Sequence, residues 1–121
     1  MRYGSVARKL FKSRWNLRGL VQDHHVIPKQ HRNHPLVKEH LDINSSDNII
    51  MMPTRLGMNT FVNIRKNRLV HGNSGHQEYN KFVKQLLDTA ISNDELHSVM
   101  VYLKYNCRFD NTIPWERDLK K

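Results

Sequence analysis

Cysteine is almost missing from this chain. Cys107 stands alone among 121 residues, so neither an intrachain disulfide nor a cysteine-built zinc site can form. A reducing compartment suits such a chain. Long apolar runs are missing as well. None approaches the ~20 residues that cross a bilayer, and the first residues lack the unbroken apolar stretch of a secretory signal. The expectation is therefore an intracellular protein with no membrane partner. Internal repeats and low-complexity tracts are also absent. That leaves a single domain over residues 1–121, long enough for a modest core without staples.

Acidic charge is the third scarcity, and it is uneven. The chain carries 20 Lys and Arg against 11 Asp and Glu, a formal charge of +9. Residues 1–22 hold Arg2, Arg8, Lys9, Lys12, Arg14 and Arg18 and no acid. Residues 48–77 hold Arg55, Arg65, Lys66 and Arg68, again with no acid. Charge clustered in this way favours a polyanion partner, nucleic acid before any other.

Histidine is what the chain has instead. Asp23-His24-His25-Val26-Ile27-Pro28 places two adjacent imidazoles at the end of a short apolar run. Adjacent histidines make a poor core, since each ring carries two nitrogens that need partners when buried. They suit a site where one ring holds a metal and its neighbour takes a proton. A second cluster, His71-Gly72-Asn73-Ser74-Gly75-His76, lies further on.

The pattern around these clusters reads as α+β. Residues 4–20 form a basic helix whose apolar residues, Val6, Leu10 and Leu17 with Phe11 and Trp15 as anchors, are expected to pack on the rest. A strand runs from about Val21 to the double histidine, where Pro28 ends regular pairing. His31, His34 and His40 read as surface or helix-face residues, and Pro35 opens a short helix with Asn33 or His34 as its cap. Asp42–Asn48 is an Asx-rich turn, and Ile49–Met52 a short buried strand stopped by Pro53. Residues 54–70 are irregular, with a short helix around Asn59–Arg65. The capping boxes Ser74-x-x-Gln77 and Ser92-x-x-Glu95 open two more helices, the first from Gly75 or His76. Their core sides are Tyr79, Val83, Leu86, Leu87 and Ala90, and Leu96, Val99, Met100 and Leu103. Trp115 docks the tail.

With these motifs in order, the chain resembles the HNH/endonuclease VII superfamily. The base histidine there precedes a proline by three residues, as His25 precedes Pro28. The doubled histidine, Asn48 downstream and Gly75-His76-Gln77-Glu78-Tyr79-Asn80 resemble the AHH-type subfamily, over about residues 20–90. The resemblance implies a small ββα-metal (His-Me finger) core with additional surrounding helices. It also implies a metal-dependent endonuclease that cuts nucleic acid, DNA ahead of RNA. His24 would ligate the metal, His25 would be the general base, and Asn48 would fix the loop and help orient that base. His76 would be a ligand from the helix, and His71 the histidine that precedes it. The ion would be one divalent cation, magnesium, manganese, zinc or nickel.

The chain departs from the family pattern in three places. Asp23 replaces the small residue before the two histidines and would steady His24 from behind. The His71–His76 spacing is five where four is expected, so the rings converge only across a bend at the glycines, or else Asn80 substitutes as ligand. The added segments would carry Lys29, Arg32, Arg55, Arg65, Lys66 and Arg68 against flanking phosphates. Symmetric double-strand cutting would favour a homodimer. The rival readings are a basic nucleic-acid-binding protein with an inactive HNH-like fold, a ribonuclease or toxin domain of the same fold, and a structural zinc module.

Overall fold

A computed structural model describes residues 2–61, 69–71, 77–109 and 113–115. Among them the order of elements is α1 (Val6–Arg14), β1 (Val21–His25), α2 (Pro35–His40), β2 (Ile49–Pro53), α3 (Arg55–Thr60), α4 (Gln77–Thr89) and α5 (Asn93–Phe109). Single 3-10 turns at Lys29–His31 and Ser46–Asn48 precede α2 and β2. The fold is α+β: two antiparallel strands surrounded by helices, with Val21 opposite Pro53 and His25 opposite Ile49.

Each element stops and starts where its chemistry requires. Ser5 caps α1 by accepting the Arg8 N–H, and Asn16 and Gly19, with φ of 56° and 77°, turn the chain toward β1. His34 caps α2, with Pro35 at its first position. Thr54 caps α3 by accepting the Gly57 N–H. Ser92 accepts the Glu95 N–H at 3.2 Å, and the Glu95 carboxylate accepts the Ile91 N–H at 2.8 Å. The box thus closes one residue earlier than the usual pattern. Helix α3 lies ahead of the expected 59–65. Residues 62–68 and the Ser74 end of the first capping box fall outside the described residues.

The core gathers between the sheet and the last two helices. On α4, Tyr79, Val83 and Leu87 recur every four residues and are buried. On α5, Leu96, Met100, Leu103 and Cys107 form the matching stripe. Val26, Ile27, Ile50 and Met52 meet them from the strands, and Trp115 closes the cluster. The Trp115 indole N–H donates to the Val70 carbonyl at 2.9 Å, which docks the tail as expected. Among the described residues no helix is long and apolar enough to cross a membrane.

Helix α1 is turned the other way round from the expectation. Val6, Leu10 and Trp15 are 70%, 64% and 61% exposed, whereas Arg8 is buried. The cause is Asp23. Its carboxylate takes Arg8 Nε at 2.7 Å and Lys12 Nζ at 2.9 Å. Arg8 and Lys12 lie one turn apart on the helix, so pairing both to one buried acid commits that face to the sheet. A buried carboxylate without its cations would cost more than the apolar contacts forgone.

His31 is a second correction. It is buried, not a surface residue, and its Nε2 donates to the Asn80 backbone carbonyl at 2.9 Å, tying the turn after Pro28 to the first turn of α4.

Candidate active site

Successive side chains of a strand point to opposite faces, so two adjacent histidines pack against different neighbours. His24 faces α4 and α5. It is 3% exposed, with its ring centroid 5.1 Å from that of Tyr79 and 5.2 Å from that of Trp115. Its Nε2 lies 3.7 Å from the Cys107 sulfur. Tyr79 in turn donates its hydroxyl to the Val26 carbonyl at 2.6 Å, and the Cys107 thiol lies 3.4 Å from that hydroxyl. Burial pushes the Tyr79 hydroxyl well above its ordinary pKa, with Cys107 adding to the shift, so it remains a donor.

His25 looks to the other side, where it is half-buried. Its Nε2 lies 2.8 Å from Asn44 Oδ1, and its ring centroid lies 4.4 Å from that of Tyr3. An amide oxygen only accepts, so Nε2 carries the proton and Nδ1 is left as the basic nitrogen. Burial holds the pKa of His25 below its ordinary value. The Asn44 bond pulls it up, Lys29 pushes it down, Asp23 raises it and Arg8 lowers it, with a net downward shift. Tyr3 is held beside the ring by its N–H, which donates to the Asn44 carbonyl at 2.9 Å, and by the Arg2–Asp42 ion pair next to it.

The turn that carries His25 is fixed by Asn48, which ends the Ser46–Asn48 turn and is fully buried. Its Oδ1 accepts the Ile27 N–H at 2.8 Å. Its Nδ2 donates to the Ile27 carbonyl at 2.9 Å and to the Ile43 carbonyl at 3.0 Å. Its own backbone carbonyl accepts the Val26 N–H at 2.9 Å. The side chain therefore uses both amide donors and its oxygen to lock Ile27 and tie it to Ile43, while the Asn48 backbone holds Val26.

His71 joins from the segment after α3. Its N–H donates to the Pro53 carbonyl at 2.8 Å, and its Nδ1 lies 2.7 Å from Gln22 Oε1. That amide oxygen fixes the proton on Nδ1 and makes Nε2 the nitrogen with a lone pair. The His71 and His24 ring centroids are 5.3 Å apart. Asn80, in the first turn of α4, donates Nδ2 to Gln30 Oε1 at 3.1 Å.

A cleft of about 360 Å³ collects His24, His25, Lys29, His71 and Asn80, with Tyr3, Asp23, Pro28 and Gln30 in its walls. Of the residues singled out from sequence, Arg32 and Arg55 are exposed and do not line it. His76, Arg65, Lys66 and Arg68 lie outside the described residues. Asp23, expected to steady His24, instead gives its carboxylate to Arg8 and Lys12. Residues 23 and 25 share a strand face, and the Asp23 carboxylate raises the pKa of His25. Sequence reading missed Asn44, Gln22, Tyr3 and Cys107. Only Asn44 left a trace, and there it read as one more turn-forming residue.

The His71 imidazole, with its tautomer fixed and the His24 ring 5.3 Å away centroid to centroid, suits a divalent transition cation in kind. Among the described residues no group of three or more His, Cys, Asp and Glu is placed to hold one. No curated protein and no solved structure matches the chain. A family model does match, over residues 7–100. That span takes in α1, both strands, the Asn48 clamp and α4, and ends inside α5. Where the family's motif reads Ala-His-His, this chain has Asp23-His24-His25. The doubled histidine of β1 falls within the matched span, and the chain belongs to AHH, a nuclease family of the HNH/ENDO VII superfamily.

Proposed function

We propose that this protein is a metal-dependent endonuclease that hydrolyses phosphodiester bonds, DNA before RNA, with His25 as the general base. The observation that carries the reading is the state of that ring. It is tied through Nε2 to Asn44, its pKa is held down by burial, and it opens on a cleft walled by Lys29 and two further imidazoles.

In this reading Nδ1 of His25 takes a proton from a water molecule as its oxygen attacks the phosphorus. The bond from phosphorus to the 3′-oxygen breaks, and that oxygen leaves with the electron pair. Asn44 keeps the ring aligned through the transfer and stabilises the imidazolium that forms. Asn48 holds the base at its position on the turn, so the ring need not be oriented anew in each cycle. Lys29 offsets charge on a non-bridging oxygen, and Arg32, Arg55, Arg65, Lys66 and Arg68 supply contacts to phosphates further along. His24 and His76, with help from His71 or Asn80, would hold the divalent cation, which would neutralise charge on the phosphate and on the departing oxygen.

The test is a supercoiled-plasmid assay on protein stripped of metal and resupplied with magnesium, manganese, zinc or nickel. Wild type nicks or linearises the plasmid only with metal present. His25→Ala binds the same DNA and loses at least about a hundredfold in rate, as removal of a general base does. Binding without cleavage by wild type under every metal, on DNA and on RNA, would sink the reading in favour of an inactive nucleic-acid-binding fold.

A further inference from the structure

A second concavity, of about 470 Å³, opens beside the first. Helix α1 and the segment before it form one side, and β1 forms the other. The two clefts share Tyr3, Asp23 and His71, so they are neighbours along one surface with Tyr3 in the dividing wall. The Tyr3 ring faces both ways. It lies against His25, and Lys29 Nζ sits 4.5 Å from its centroid.

The lining is strongly one-signed. Among the described residues, Arg8, Lys9 and Lys12 border it against the carboxylate of Asp23, a surplus of two positive charges in that lining. Asp23 already serves both Arg8 and Lys12, and Lys9 stands at an exposed position on the same helix. A bare docking contact for α1 would need one cation per acid and would turn the apolar side chains inward. Here the reverse holds. Val6, Leu10 and Trp15 remain in solvent while the cations face the strand. Positive charge gathered in a concave wall raises the local concentration of an anion.

We propose that this groove is a phosphate subsite, which takes the backbone phosphodiester next to the one cleaved at His25. Lys9 and Lys12 contact it directly, and Arg8 positions Lys12 through their common partner Asp23. The inference rests on the nuclease reading for what happens in the first cleft, but the groove binds phosphate whether or not cleavage follows. The ligand class is a polynucleotide strand with at least one phosphate beyond the scissile one.

Two substrates separate the subsite from a structural role. Bis(p-nitrophenyl) phosphate offers one diester and no neighbouring phosphate, whereas a short oligonucleotide offers both. In Lys9→Ala, kcat/KM on the oligonucleotide falls about tenfold further than on bis(p-nitrophenyl) phosphate, the factor expected when one charge-assisted hydrogen bond is removed. The excess appears in KM and not in kcat. Equal falls on both substrates overturn the proposal. A second readout does not need cleavage. In fluorescence anisotropy with a labelled duplex, the slope of log affinity against log salt becomes shallower by about 0.9 in Lys9→Ala, because one phosphate fewer is neutralised. An unchanged slope overturns the subsite. A wild type that cuts nothing counts against the nuclease reading alone, and the slope still decides this one.

Discussion

Asn48→Ala removes one side chain and breaks three hydrogen bonds at once. Asn48 has no solvent exposure, and its partners are the N–H and the carbonyl of Ile27 and the carbonyl of Ile43. Ile27 is itself fully buried, so its N–H would lose its acceptor with no bulk water to replace it. An orphaned buried donor costs about 1–3 kcal/mol, and each carbonyl that loses a donor adds about 0.5–1.5 kcal/mol. The expected loss is about 2–6 kcal/mol, from a total stability of about 5–15 kcal/mol for a domain of ordinary size. Equilibrium urea denaturation measures it directly, and at about 4 °C per kcal/mol the melting temperature falls by about 8–24 °C. Asn48→Asp sharpens the argument. It keeps an oxygen for the Ile27 N–H but turns the Nδ2 donor into an acceptor facing two carbonyls. At pH 7 it is at least as damaging as alanine. The buried acid has a raised pKa in the fold, so its protonated form is favoured there and stability returns as pH falls toward about 4. An alanine variant within about 1 kcal/mol of wild type, or an aspartate variant with no dependence on pH, would refute the clamp.

Two other residues give equally direct tests. Gly57 lies inside α3, where alanine would ordinarily gain about 1 kcal/mol in helix propensity. A Cβ there would run into the Leu20 carbonyl, which is pinned because it accepts the Thr54 N–H at 2.9 Å. Gly57→Ala should therefore lose about 1–3 kcal/mol net, and a rise in melting temperature would contradict the close approach. Tyr79 has a pKa raised by burial, so the stability tied to its neutral form is intact below about pH 10 and drains away as pH climbs from there toward the folded-state value. Tyr79→Phe loses about 1–3 kcal/mol at pH 7, because the Val26 carbonyl gives up its donor, and shows a flatter decline in stability above about pH 10 than wild type.

The sequence announced elements whose signals are local. Pro35 with His34 ahead of it, Pro53 after an apolar run, and Ser92 three residues before Glu95 each mark a boundary with chemistry that acts within one turn. Four-residue spacing was enough to choose the inner faces of α4 and α5, because those faces are apolar and no competing partner claims them. The orientation of α1 was hidden because two signals compete on it. Phe11 and Trp15 argue for an apolar inner face, Arg8 and Lys12 for a charged one. Only the position of Asp23 across the sheet decides between them. The histidines were hidden in the same way. His31 pairs with a carbonyl 49 residues away, and His24 meets Cys107 across 83. Backbone carbonyls and thiols carry no mark in a sequence to say which distant ring they will face.

The doubled histidine then has a reason beyond family habit. A strand offers two faces at adjacent positions and no others as near in sequence. One imidazole goes under Tyr79 and Trp115, where its surroundings are buried and aromatic. The next goes to the outer face, where Asn44 sets its tautomer and burial, with Lys29 and Arg8, presses its pKa down against the opposing pull of Asn44 and Asp23. On the proposed roles, His24 as ligand gains from burial and His25 as base needs water and a tuned pKa. Separating the two by a single residue on one strand keeps their relative position as rigid as the backbone itself. The ladder from His24 to Ile50 and from His25 to Ile49, with the Asn48 clamp immediately beyond it, supplies that rigidity. Moving either histidine by one position would place it on the wrong face. A spaced His-x-His would put both rings in one environment and lose the division between them.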